Sequence, residues 1–80
     1  MMEPFEGRIT LFAGNYAPEG WALCDGQLLS IAKNTSLFTI IGATYGGDGR
    51  TTFALPRLAP LGPNGPHYLI AVTGEYPSRV

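Results

Sequence analysis

The chain contains one cysteine, Cys24, and one histidine, His67. No disulfide can therefore staple it internally, and Cys and His of a single copy cannot supply the three or four ligands of a tetrahedral metal site. Charge is scarce as well: charged residues make up 14% and the net charge is −1, which leaves no electrostatic footprint for nucleic acid or an anionic membrane. No apolar run approaches the roughly 20 residues of a membrane span. The opening MMEPFEGR lacks the basic end and following apolar run of a secretory signal. The chain is thus expected to be made in the cytoplasm and to reach any outside location by lysis or dedicated export.

What is abundant is apolar side chains, at 45% of 80 residues, together with eleven glycines and seven prolines. A chain of this size forms one domain and buries only about 60–65% of its unfolded surface. Low charge, high apolar content and the absence of staples favour a homo-oligomer, because a small domain often gains its missing stability from association. Glycine and proline exceed the usual background of roughly 12%. They are spread between apolar runs without a repeat, as in a turn-rich globular fold.

Residues 8–13, Arg-Ile-Thr-Leu-Phe-Ala, alternate as a strand, with Ile9, Leu11 and Ala13 on one face. Ala17-Pro18-Glu19-Gly20 reads as a turn, Gly20 suiting a position of positive φ. Residues 21–24 read as a second strand. Asp25-Gly26 then matches a two-residue type I′ loop, which predicts that residues 27–29 return as a hairpin partner. The spacing of Leu37, Phe38, Ile40 and Ile41 predicts one helix over 33–41, stopped at Gly42. Tyr45-Gly46-Gly47-Asp48-Gly49 reads as a rigid loop before a strand at 51–55. Residues 59–66 read as a Pro/Gly linker, with a reach of about 25 Å if extended. A last strand is predicted at 67–73, able to complete its own sheet or pair with a neighbour's. The expected fold class is α+β: a small, turn-rich antiparallel sheet with one short helix, glycine/proline-rich loops and a C-terminal strand. The expected organisation is a domain at 1–58, the linker at 59–66, and a strand and tail at 67–80.

The groups that could do chemistry are sparse. Residues 42–51 look superficially like a phosphate loop but fit no Gly-x-x-x-x-Gly-Lys-Ser/Thr frame, and Gly47-x-Gly49 leads into a strand where a dinucleotide site needs a helix. Cys24 has only Asp25 beside it as a candidate base and reads as a small buried apolar residue. His67 reads as a surface histidine at a linker end, which could also meet its copies on a threefold axis. Of the acids Glu3, Glu6, Glu19, Asp25, Asp48 and Glu75, none pair at a catalytic spacing, and Asp25 and Asp48 precede glycines as turn formers. No catalytic, metal or cofactor-binding residue is assigned. Gly20, Asp25, Gly26, Gly46, Gly47, Asp48 and Gly49 are read as structural turns. Tyr16, Trp21, Tyr45 and Tyr68 are read as interface aromatics, or as platforms for stacking on glycans.

The segments LFAGNYAPEGWALCDGQLL at 11–29 and Leu37-Phe38 through YGGDGRTTFALP, ending at Pro56, closely resemble the phage tail collar domain, a family that takes in the so-called microcystin-dependent proteins of bacteria. The resemblance covers roughly residues 5–58 and is specific in order and spacing. Tyr68-Leu69-Ile70-Ala71 and Tyr76-Pro77-Ser78-Arg79 are similar to the close of short members. The resemblance implies a compact α+β domain of virion tail fibres, often trimeric and without enzymatic activity. The chain is accordingly expected to self-assemble as a homotrimer or open polymer, with other tail proteins or cell-surface glycans as further partners, in a virion tail or an extracellular assembly. A filament subunit or a glycan-binding module are the alternative functions. Arg57 stands where longer members carry Asp, and no receptor-binding insertion follows it. Ser30 and Ala32 replace the usual Pro and Ser ahead of the helix, and the histidine-rich metal-holding tip of some long fibres has no counterpart.

Overall fold

The last strand of the chain sits in the middle of its sheet. The computed structural model describes residues 5–77; Glu3, Ser78 and Arg79, named above, lie outside them. The elements are β1 (Ile9–Phe12), β2 (Trp21–Leu23), β3 (Leu28–Ser30), α1 (Thr35–Ile41), β4 (Thr52–Ala54) and β5 (His67–Ala71). They form an antiparallel three-stranded sheet in the order β1-β5-β2 and an antiparallel β3-β4 pair, so the α+β class holds. The Cα radius of gyration of 12.6 Å is close to the roughly 12 Å of a compact chain this long.

The Asp25-Gly26 step does not make a hairpin. Among the described residues β2 and β3 do not pair; β2 joins β5 and β3 joins β4. A type I′ turn needs positive φ at both central residues. Gly26 has φ +81, but no described non-glycine residue has positive φ, so Asp25 stays in the ordinary region. Its Oδ1 instead accepts the Gln27 N–H at 3.1 Å, an Asx turn. With a single left-handed residue the chain bends and passes from one sheet to the other. Cys24 is the junction: its N–H donates to Tyr68 O at 3.0 Å, and its carbonyl accepts from Leu58 N–H at 2.8 Å. The Asp25↔Arg57 bridge continues the register of Leu28↔Ala54.

Three further expectations need correction. The turn before β2 is shifted by one residue: Trp21 N–H donates to Pro18 O at 3.0 Å, and Gly20, at φ +89, is its third residue. The helix starts two residues late. Asn34 precedes it without a side-chain cap bond; its N–H closes a turn on Ile31 O at 3.1 Å, and its Nδ2 donates to Ser30 O at 3.0 Å. Gly42, at φ +60, ends it with its N–H on Phe38 O. Residues 59–66 are not extended. Leu61 N–H donates to Pro66 O at 3.0 Å and Gly65 N–H to Gly62 O at 3.3 Å, folding the stretch into a closed loop. That loop returns the chain to its own sheet.

The core lies between the two sheets and α1. Cys24, Leu37, Phe53, Leu55 and Ile70 are buried together, and Ala22, Leu29, Ile31, Phe38, Ile41, Tyr68 and Val72 pack around them. The Phe38 and Phe53 rings are tilted at 5.4 Å. β5 is apolar on both faces because it is central: Ile70 faces this core, while Leu69 and Ala71, buried on the opposite face, lie in register with Thr10 and Trp21. β1 is arranged differently. Ile9 and Leu11 are 40% and 43% exposed, whereas Thr10 and Phe12 are half-buried.

Candidate functional site

The loop after α1 is organised by one carboxylate. Asp48 Oδ1 accepts N–H bonds from Arg50 (2.8 Å), Thr51 (2.8 Å) and Thr52 (3.0 Å), and Oδ2 accepts the Thr51 hydroxyl at 2.8 Å. The Asp48 N–H donates to Thr52 Oγ1 at 3.3 Å, and Gly49 N–H to Thr52 O at 3.0 Å. Gly46, Gly47 and Gly49 have φ of +135, +88 and +73. Successive backbone N–H groups in such a loop form an anion nest. Here the nest is filled by the chain's own side chain, which is why a stretch resembling a phosphate loop makes a rigid turn.

The backbone N–H groups of Thr52, Arg50 and Thr51, and then the Thr51 hydroxyl, hold the Asp48 carboxyl well below the usual carboxylate range. A carboxyl depressed in the folded state contributes stability above its unfolded value of about 4, lost as pH falls toward the folded one. Asp48→Asn is therefore expected to melt below the parent at neutral pH, with the gap narrowing on acidification below pH about 4. Thermal melts of both proteins across that range check it; a gap independent of pH would assign the effect to loop shape and not to charge.

Cys24, Asp25 and His67 come closer together than the sequence suggests. With Leu23, Leu58, Pro60 and Tyr68 they line a cavity of about 210 Å³. His67 is not a surface histidine: it opens the central strand, half-buried, and its Nδ1 is buried without a hydrogen-bond partner among the described residues. Cys24 is 2% exposed. Burial, and then the negative charge of Asp25, push its thiol up, which keeps it protonated and a poor nucleophile. Among the described residues no three of His, Cys, Asp and Glu are grouped to hold a metal.

The four aromatics singled out from the sequence do not share one platform. Tyr16 is 61% exposed and Tyr45 52%; Trp21 and Tyr68 are half-buried. Tyr16 packs edge-on against Phe12, with centroids 5.6 Å apart, and Phe12 pairs with His67 at the start of β5. Trp21 pairs with Ala71 at the end of β5, about 13 Å further along at 3.3 Å per residue. Tyr68 and Trp21 lie on opposite faces of that sheet by register, and Tyr45 belongs to the Asp48 loop.

A feature the sequence reading missed is the difference between sheet edges. Alternate residues of an edge strand turn their N–H and C=O away from the neighbour. On β2 these are Trp21 and Leu23, and the chain covers one backbone group of each: Trp21 N–H reaches Pro18 O at 3.0 Å, and Gln27 Nε2 donates to Leu23 O at 3.1 Å. The β3 edge is partly closed by Asn34 Nδ2 on Ser30 O. On β1, the Ala71 N–H bond to Arg8 O at 2.9 Å sets the phase, so Arg8, Thr10 and Phe12 face β5. Ile9 and Leu11 turn outward, with no partner for their backbone groups among the described residues. Their side chains are the exposed ones. The signal in the sequence was Ile9-x-Leu11 itself, which alternation places on one face without telling whether that face is covered.

The sequence model of the family described as Phage Tail Collar Domain matches residues 7–60, from the start of β1 to just beyond β4. No curated protein matches the chain. The matched stretch includes the Asp48 loop, the Cys24 junction and the open edge of β1, and it stops short of β5.

Proposed function

The chain belongs to the phage tail collar domain family, and on that premise we propose that it is a non-enzymatic structural component of a phage tail fibre or tail-like particle that works by associating with copies of itself. The observation that carries this reading is the family match across residues 7–60 of 80. The chemistry of the chain supports it. The loop that could have held an anion is occupied by Asp48, and the one thiol is buried and protonated. Glycines hold the loops in shape, and exposed apolar side chains remain for contact. The site of action is then the virion tail, with other tail proteins as neighbours. The mechanism is rigid presentation: fixed loops and an unspent apolar surface whose geometry does not change on association.

The protein is expected to exceed its monomer mass at micromolar concentration. Light scattering after gel filtration reads this directly, and a mass of 8.5 kDa would overturn the self-association reading. A mass that rises without limit as concentration increases would indicate an open polymer, since contacts that do not close generate filaments.

A further inference from the structure

We propose that the open edge of β1 is a self-association surface, on which two copies pair their β1 strands antiparallel about a twofold axis through Thr10, joining their three-stranded sheets into one. The proposal rests on the self-assembly reading above and names the contact that carries it.

The edge is self-complementary. Ile9 and Leu11 each turn one N–H and one C=O outward, and they flank Thr10 symmetrically. Setting Ile9 against Leu11 of a second copy, and Leu11 against its Ile9, lets each facing pair exchange both bonds of an antiparallel ladder. No outward group of Ile9 or Leu11 on either copy is then left over. Thr10 meets Thr10 of the second copy directly, a favourable cross-strand pair. Arg8, the only charge beside the strand, falls opposite Phe12 of the second copy and not opposite its own equivalent, so no like charges meet. An unrelated strand could offer the backbone bonds as well; what favours a second copy is that Thr10 then meets Thr10 and the Arg8 charges stay apart.

Side chains and backbone shape agree with this pairing. Phe5, Ile9, Leu11 and Tyr16, four of the nine large apolar residues exposed among the described residues, lie on β1 or its flanks. Pairing brings Ile9 and Leu11 of the two copies together on one face of the joined sheet. The edge is also bounded. Arg8 N–H donates to Phe5 O at 3.1 Å, Gly7 stands at φ +86, and Gly7 N–H and Arg8 O both bond Ala71. This is a turn fused to a β-bulge that ends the straight ladder at Ile9. Exposed edges are usually blunted by lysine, proline or a covering loop; between the bulge and Phe12, β1 has no lysine or proline and no covering loop among the described residues. A four-residue ladder covers less than the about 800 Å² per partner of a standard interface, so the pairing is expected to be concentration-dependent.

The test uses the full chain. Residues directly opposite one another in a non-hydrogen-bonded antiparallel pair have Cα atoms about 4.5 Å apart, within disulfide range. Thr10→Cys is therefore expected to form an interchain disulfide under mild oxidation at least about tenfold faster than Asn15→Cys, a loop control, because pairing raises the effective concentration of the two thiols. The parent, whose only thiol is buried, serves as the blank. Independently, Leu11→Lys should keep a cooperative thermal transition, since the side chain is 43% exposed, and should shift the light-scattering mass toward the monomer. If the parent assembles while Thr10→Cys links no faster than the control and Leu11→Lys assembles like the parent, the β1 contact is wrong and self-assembly stands. A parent that stays monomeric sinks both.

Discussion

Gly47→Ala is expected to cost the fold about 3 kcal/mol or more, from a left-handed backbone imposed on a side chain together with overpacking. Gly47 has φ +88, and a Cβ there would lie 2.5 Å from Phe53 Cα, 2.7 Å from Thr52 O and 2.9 Å from Phe53 N. All three neighbours are backbone, in a strand whose Phe53 side chain is fully buried, so no flexible group can give way. A domain of this length has a total stability of about 4–12 kcal/mol at 0.05–0.15 kcal/mol per residue, and the substitution should remove a large part of it. Denaturant unfolding measures the loss. Gly49→Ala is the control: its φ of +73 is also strained, but its Cβ would meet only Ala43 Cβ at 3.5 Å, so about 1–2 kcal/mol is expected. Equal losses for the two would show that conformation alone decides, and that the close approach of loop to strand does not.

Ending the chain after Pro60 is expected to abolish cooperative folding. β5 lies between β1 and β2 and pairs with both, so its removal deletes both ladders of that sheet at once. It also takes away Leu69, Ile70 and Ala71, all buried. Burial of the leucine and isoleucine side chains alone accounts for roughly 3–6 kcal/mol at 1.5–3 kcal/mol each, comparable with the whole stability of the domain. Circular dichroism and a thermal melt should show a chain without a cooperative transition. Adding a peptide of residues 61–80 should restore one if the strand can be supplied from outside, as in an exchange between copies. A truncated protein that melts like the parent would remove β5 from the centre of the fold. The family match ends at residue 60, before the strand on which β1 and β2 both pair.

Much of the local structure was legible because it depends on neighbours in sequence. Alternation marked the strands to within a residue or two. Leu37, Phe38, Ile40 and Ile41 marked the helix, and Gly42 its end. The late start of the helix was not legible, since Asn34 is held by Ser30 and Ile31 and no side-chain cap announces the first turn. His67 shows the same limit. A histidine after a proline-rich stretch reads as exposed, yet it is half-buried because the strand it opens lies between two others.

The kinds of element, their approximate places, the α+β class and the scarcity of reactive groups were determined by the sequence alone, since each follows from periodicity, composition or the dihedral range of a single residue. Which strands are neighbours was decided only by the tertiary structure. Asp25-Gly26 has the residues of a hairpin, and local preference favours one, but the bonds of Cys24 to Tyr68 and Leu58 carry the chain from one sheet to the other. The faces of β1 were decided at the same level. Alternation shows that Ile9 and Leu11 share a side; whether that side is covered depends on how far the second sheet and the helix extend across it, and they stop before the edge. Period-two patterning records a strand's two faces but not its two edges, and it is at the edge of β1 that backbone groups stay unpaired among the described residues.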